Sequence, residues 1–144
     1  MSLPELPQDI KSSMKYVREM SDWITMHPNP TISDLETAES KMANSLAYLC
    51  EKREEYQGMF DAAKDKYDAA VEDAFEKYKM NKETDGSAKV KANKDCREQK
   101  QKLLEAKYLY KMLKAFTDSR RDVVISIIHR IKSKRDELRG GYGN

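Results

Sequence analysis

Residues 33–80 read SDLETAESKMANSLAYLCEKREEYQGMFDAAKDKYDAAVEDAFEKYKM. Apolar residues recur through this stretch at steps of three and four, with Arg53 in the one gap of the pattern. The apolar positions are Leu35, Ala38, Met42, Leu46, Leu49, Tyr56, Phe60, Ala63, Tyr67, Ala70, Ala74 and Tyr78. Such a heptad-like repeat is typical of a coiled coil or a long packed helix. Because many of these positions are Ala or Tyr, we expect the helix to pair with another one.

Helical patterns also lie on both sides of this stretch. A first helix is predicted over residues 4–27 and ends at Pro28, because proline lacks an amide donor and disfavours helix in the residue before it. Ser33 and Glu36 predict a capping box at the start of the second helix, over residues 33–80. After a turn marked by Asp85 and Gly86, with Ser87 as the cap, a third helix is predicted over residues 88–138.

The sequence therefore predicts an all-α fold, with a short N-terminal helix followed by a long antiparallel, coiled-coil-like helical hairpin that oligomerises. We expect one helical domain over residues 1–139, since 144 residues are hardly enough for two. Gly140 is expected to end the third helix and to begin a flexible glycine-rich tail over residues 140–144. Gly58 is the one helix-disfavouring residue of the second helix, and the sequence leaves two alternatives there: the helix continues through it or breaks at it.

Composition bounds the class of protein. Charged residues make up 36% of the chain, against about 25% in average domains, which indicates a large solvated surface. The chain holds no apolar run long enough for a membrane span, and its first residues lack the pattern of a signal peptide. We therefore expect no membrane association and a cytoplasmic protein.

Motifs for catalysis, cofactors and metals are missing. The sequence has no phosphate-binding glycine loop, no dinucleotide fingerprint, no zinc-protease motif and no nucleophile elbow. Cys50 and Cys96 form no CxxC unit, and His27 and His129 are far apart in sequence. We predict no catalytic residue, no cofactor, no metal site and no enzymatic activity.

Charge is divided unevenly along the chain. Residues 1–80 carry 10 Lys and Arg against 16 Asp and Glu, a net charge of −6, whereas residues 81–144 carry 17 against 9, a net charge of +8. The third helix carries basic residues at helical spacing on one broad face, which favours phosphate binding. These residues are Arg97, Lys100, Lys107, Lys111, Lys114, Arg121, Lys132, Arg135 and Arg139. Tyr108, Tyr110 and Tyr142 lie in or after this region and are candidates for base stacking.

A solvated flank of a coiled coil explains the same charges without nucleic acid. Asp118, Asp122 and Asp136 interrupt the basic pattern, and an acidic helix packed beside a basic one is a simple alternative. Both interpretations predict self-association, because two long helices cannot hide all their apolar edges in one hairpin. The residues expected to serve oligomerisation are Val124, Ile127, Ile128, Ile131 and Leu138.

Two stretches of the chain carry short motifs. Trp23-Ile24-Thr25-Met26-His27 follows the pattern W-[LI]-x-x-H at the end of the first predicted helix. The stretch that holds Leu49, Lys52, Tyr56 and Gly58 follows L-x-x-[KR]-x-x-x-Y-x-G. These motifs resemble those of the first and second helices of the UvsY-like recombination mediators of phages, and residues 89–131 are similar in layout to the third helix of that family.

The resemblance implies a non-enzymatic mediator that binds single-stranded DNA and assembles into a homo-oligomeric ring. Such a mediator helps load a RecA-like recombinase onto a strand covered by single-strand-binding protein. Lys52, with Arg53 beside it, matches the basic position linked to strand binding. The sequence departs from the family where Cys50-Glu51 replaces a more basic pair and where the heptad pattern continues past Gly58.

Overall fold

The computed structural model describes residues 3–142, and the side chains of residues 3–140. It contains four α-helices: α1 (Gln8–Met26), α2 (Ile32–Met80), α3 (Asp85–Asp95) and α4 (Arg97–Tyr142). No strand occurs over this range, and the predicted all-α class is confirmed. No helix in the described range is long and apolar enough to cross a membrane.

Helix α1 begins at Gln8, four residues after the predicted start. Pro7 precedes the helix and its carbonyl accepts the first helical hydrogen bond, from Lys11 N at 3.0 Å. Because a proline disfavours helix in the residue before it, Leu6 cannot extend the helix backwards. At the other end, His27 N donates to the carbonyl of Trp23 at 3.1 Å, and the two rings stack with centroids 4.4 Å apart.

Helix α2 is capped by a different pair from the predicted one. Asp34 N donates to Thr31 Oγ1 at 3.1 Å, and Thr31 N donates to Asp34 Oδ2 at 3.3 Å. This reciprocal pair is a capping box shifted by two residues from Ser33 and Glu36. The helix then runs through Gly58 without a break, because one exposed glycine costs only about 1 kcal/mol in a helix interior.

Lys82, rather than Gly86, marks the turn after α2. Lys82 has a φ of 62°, the left-handed region, and Glu83 N donates to the carbonyl of Tyr78 while Lys82 N donates to that of Lys79. This hydrogen-bond pair is a Schellman motif, in which glycine is usual at the left-handed position. Gly86 lies inside α3, whose cap is Thr84, not Ser87: Thr84 Oγ1 accepts from Ser87 N.

The predicted third helix is two helices that meet at Cys96. Cys96 has φ −99° and ψ 22°, so the backbone leaves helical geometry for one residue. No glycine or proline stands near this break, which explains why the pattern did not indicate it. Helix α4 then continues through Gly140 to Tyr142, since no described glycine has a positive φ. Of the predicted tail, residues 143–144 lie outside the described residues.

The chain divides into two compact units, and α2 and α4 contribute to both. Among the described residues, unit 1 comprises residues 54–111 with residues 3–5, and unit 2 comprises residues 6–53 with residues 112–142. Unit 2 buries apolar residues from three helices, α1, α2 and α4. Its buried apolar residues are Leu6, Ile10, Met14, Val17, Ile24, Leu35, Ala38, Met42, Leu46, Leu49, Leu113, Phe116, Ile127 and Ile131.

Unit 1 has a thinner core. Its buried residues are Tyr56, Ala88, Ala92 and Cys96, and Phe60 stacks on Tyr110 with centroids 5.9 Å apart. Within unit 2, Arg53 contacts Asp118 and Glu36 contacts Arg135.

The left-handed residue at the end of α2 gives a stability prediction. Lys82→Gly removes the steric cost of a Cβ at positive φ, and we expect the free energy of unfolding to rise by about 0.5–1 kcal/mol. Lys64→Gly, at an exposed position inside α2, is the matched control and should lower it by about 1 kcal/mol. Urea denaturation of both variants measures the two effects, and a loss of stability in both would contradict the Schellman assignment.

A second prediction concerns pH. Tyr48 donates to Asp9 Oδ2 at 2.6 Å and holds the pKa of Asp9 below its ordinary value of 3.8. A lowered carboxyl pKa stabilises the fold above the ordinary value, and this stabilisation is lost as pH falls through the lowered pKa. We expect Tyr48→Phe to lower the free energy of unfolding at pH 7. The difference in free energy of unfolding between this variant and the wild type should close below about pH 4.

Chemical denaturation at several pH values measures this gap, and Tyr67→Phe serves as the control. NMR titration of Asp9 in the Phe variant should give a higher midpoint than in wild type. A gap that stays constant from pH 7 to pH 3 would contradict the prediction.

Candidate nucleic-acid interface

Unit 1 presents a basic stripe on α4. Arg97, Lys100, Lys107 and Lys111 are all exposed, and their spacing on one continuous helix places them within an arc of about 80°. None of the four forms an ion pair with another described residue. Four positively charged side chains are exposed along about 20 Å of this helix, a spacing at which they can contact several phosphates of one nucleic-acid strand.

Two apolar side chains lie beside this stripe. Leu104 is 48% exposed and Tyr108 is 38% exposed, and both fall on or next to the basic arc of α4. Tyr108 is therefore accessible for stacking on a base. Tyr110, by contrast, is half-buried and stacks on Phe60, and the side chain of Tyr142 lies outside the described ones.

The same unit carries an acidic stripe on α2, which the sequence analysis did not single out. Its members are exposed and share an arc of about 80°. They are Glu54, Asp61, Asp65, Asp68, Glu72 and Glu76. In the described range, none of them forms an ion pair with the basic stripe of α4. The two helices therefore show opposite charges to solvent without neutralising each other.

Unit 2 continues the basic pattern on α4. The residues Lys114, Arg121, Lys132, Arg135 and Arg139 are all exposed and fall within an arc of about 60°. Arg135 forms an ion pair with Glu36. Across the described side chains, the other four make no ion pair.

Arg53 is held by its own chain. Its Nη1 donates to Asp118 Oδ1 at 2.8 Å and to Thr117 Oγ1 at 3.1 Å, and the side chain is only 21% exposed. Asp118 is one of the three carboxylates that interrupt the basic pattern, so Arg53 neutralises one of them. Lys52 is half-buried and its Nζ lies 5.6 Å from the Tyr48 ring. Strand contact by Lys52 and Arg53 stays a prediction.

A surface depression of about 460 Å³ lies between α2 and α4 in unit 2. Its rim has three basic and three acidic residues around two isoleucines. The lining residues are Glu36, Glu39, Ile128, Ile131, Lys132, Arg135, Asp136 and Arg139. The mixed charge makes this depression a poorer phosphate site than the stripe in unit 1, because its carboxylates repel an anion.

The residues predicted to serve oligomerisation divide into two groups. Ile127 and Ile131 are buried within the single chain, and Val124 is half-buried. Ile128 and Leu138 are 48% and 55% exposed. Ile125, which the sequence analysis did not select, is also exposed.

Helix α1 contributes basic residues that the sequence analysis missed. Lys11, Lys15 and Arg18 stand at helical spacing and line a groove of about 660 Å³ with Met112 and Tyr16. Their spacing of four and three residues could have indicated a basic helix face, but the net negative charge of residues 1–80 concealed it. Lys15 is loosely paired with Glu19 at 3.9 Å.

Side chains with other chemistry are scattered. Cys50 is half-buried, Cys96 is buried, and both are free thiols. His27 Nδ1 lies 2.8 Å from the carbonyl of Trp23, and His129 is exposed. Over the described residues, no group of three or more His, Cys, Asp and Glu side chains is arranged to hold a metal ion.

Comparison with known proteins gives no relative. A scan against protein-family models, a search of curated proteins and a search of solved structures found no match to this chain. The resemblance of residues 23–27 and 49–58 to phage recombination mediators therefore stays a prediction from the sequence.

Proposed function

We propose that this protein binds single-stranded DNA without catalysing a reaction, and that α4 supplies the binding surface. The observation that supports the proposal is the row of exposed basic side chains on α4, which, apart from Arg135 with its Glu36 partner, form no ion pair with another described residue. A protein that neutralises phosphates releases condensed counterions, and this release supplies most of the binding free energy at low salt.

The geometry of unit 1 suits a single strand. The four basic residues of the unit 1 stripe lie three, seven and four residues apart, which is about 4.5, 10.5 and 6 Å along the helix axis. One flexible strand can place phosphates against successive side chains at these distances. The exposed ring of Tyr108 lies in the same region and offers a stacking surface to an unpaired base. In a duplex the bases are already stacked on each other, so a preference for single strands follows.

The acidic stripe of α2 favours the same arrangement. Its exposed carboxylates repel phosphates, so a strand is guided to α4 and away from α2. Arg53 assists indirectly, since its ion pair with Asp118 removes one negative charge beside Lys114 and Arg121.

The mediator role rests on the resemblance. We propose that the protein helps load a RecA-like recombinase onto DNA covered by single-strand-binding protein, in the cytoplasm of a phage-infected host. Support comes from the order of the motifs that hold Trp23, His27, Lys52 and Tyr56, together with the basic α4 surface.

We further propose that α2 and α4 form an antiparallel hairpin and that copies of the chain assemble into a homo-oligomeric ring. The contacts of Arg53 with Asp118 and of Glu36 with Arg135 support antiparallel packing of α2 against α4. Exposed Ile125, Ile128 and Leu138 on α4 support self-association, because apolar side chains left in water favour burial against another surface.

A coiled-coil assembly or adaptor protein without nucleic-acid binding is the second candidate. The depression around Ile128 favours it, since three basic and three acidic side chains surround an apolar centre, as expected of a surface that contacts another protein. Under this candidate, the charges on α4 set pairing and solubility only.

Charge reversal on α4 separates the two candidates. We expect Lys100→Glu/Lys107→Glu/Lys111→Glu to weaken single-strand binding and to reduce the slope of log K against log salt by about 2, since each phosphate contact contributes about 0.7. Fluorescence anisotropy with an oligothymidine at several salt concentrations measures both quantities.

The matched control reverses three exposed lysines on α2, as Lys64→Glu/Lys66→Glu/Lys77→Glu, and should leave the slope unchanged. Absence of strand binding by the wild-type protein in low salt would favour the adaptor. Equal losses in both triple variants would show that total charge, rather than the α4 stripe, controls binding.

Self-association has its own test. We expect the wild-type protein to sediment above its chain mass of 16.7 kDa at micromolar concentration, and Ile128→Glu to shift it towards the monomer because the charge disrupts an apolar contact. Met26→Glu, at another exposed apolar position in unit 2, is the control and should not shift it. A monomeric wild-type protein would contradict the prediction.

A further inference from the structure

The ring of Phe116 in α4 makes cation–π contacts with two guanidinium groups in unit 2. Arg18 Cζ is 5.4 Å from the ring centroid and Arg120 Cζ is 5.3 Å from it. Cation–π contact with the ring stabilises each guanidinium and fixes its position. Two like charges are thereby held beside the same side chain, although they come from different helices, α1 and α4.

Neither arginine has an anionic partner in the described structure. No carboxylate lies within 4.0 Å of either guanidinium among these residues, and Arg120 Nε is buried and donates to no acceptor there. A buried donor without an acceptor is unfavourable. The two guanidinium groups carry positive charge that no described carboxylate neutralises, and an oxyanion would neutralise it.

The surroundings favour a ligand with several phosphates over a single small anion. Arg18 lines the α1 groove with Lys11 and Lys15. Arg120 lines a depression of about 610 Å³ with Arg130, where Asp22 and Asp122 are also present. These two carboxylates reduce the affinity for a free anion, whereas a polymer held elsewhere on the protein can still place one phosphate at each arginine.

We propose that Arg18 and Arg120 form a second phosphate-binding site, which contacts the backbone of a bound single strand on the α1 side of unit 2. This inference rests on the proposed function and adds a contact outside the α4 stripe. Guanidinium groups suit the role because their planar donors match phosphate oxygens in pairs. Inorganic phosphate offers the same oxygen atoms as a strand backbone, and the experiment below distinguishes these two ligands.

The first measurement uses Arg18→Gln/Arg120→Gln in the full chain. We expect the dissociation constant for an oligothymidine to rise about tenfold in 50 mM salt and the salt slope to fall by about 1.4, the contribution of two phosphates. Lys41→Gln/Lys66→Gln removes two exposed charges elsewhere and should change neither quantity. If the double variant melts early, Arg18→Gln alone is used, because Arg18 is exposed, and its slope should fall by about 0.7.

The second measurement follows the Nε–H resonance of Arg120 by NMR. A shift on adding oligothymidine, with little shift from millimolar inorganic phosphate, supports a strand site. An equal shift with inorganic phosphate alone would overturn the assignment to a strand. Strand binding that depends on Lys100, Lys107 and Lys111 but not on the two arginines would overturn this inference and leave the proposed function intact. Failure of the wild-type protein to bind any strand would overturn the proposed function first.

Discussion

The docking of one face of α4 in unit 2 controls where its charges lie. Leu113, Phe116, Ile127 and Ile131 are buried in unit 2, and this burial fixes the rotation of the helix about its axis. Each fully buried side chain of this kind contributes about 1.5–3 kcal/mol, far more than any exposed ion pair. The basic residues therefore remain in water because turning them inward would expose the core.

Internal neutralisation of these charges is limited to a few contacts. In unit 2, Arg53 engages Asp118 and Glu36 engages Arg135, while the exposed carboxylates on α2 in unit 1 make no contact with the basic stripe of that unit among the described residues. An acidic helix packed beside a basic one was the simplest alternative to a binding surface. In unit 1 the opposite charges lie on separate exposed stripes, so the acidic helix does not neutralise the basic one among the described residues.

Residues with a strong periodic pattern were predictable from the sequence. Leu35, Ala38, Met42, Leu46 and Leu49 were expected on one face of α2, and all five are buried. Helix ends and breaks were harder to predict. Thr31 rather than Ser33 caps α2, and Lys82 adopts the left-handed conformation after it. The break at Cys96 has no glycine or proline nearby to indicate it. The backbone geometry there depends on packing, which the sequence pattern does not contain.

The candidate surface was predictable in part for the same reason. Helical spacing alone placed Lys100, Lys107 and Lys111 on one face, whereas the partner of Arg53 is 65 residues away in sequence and required the fold. The arginines around Phe116 also come from separate helices, and the net negative charge of residues 1–80 concealed the basic side of α1.

Chemical footprinting of lysines tests the central claim most directly. Acetylation of the free protein and of its complex with an oligothymidine, read by mass spectrometry, compares each lysine with itself. The account predicts protection of Lys100, Lys107, Lys111, Lys114 and Lys132 on α4, with unchanged reactivity at Lys64, Lys66 and Lys77 on α2. Equal reactivity of the α4 lysines in both samples, at oligonucleotide concentrations that saturate the protein, would contradict it.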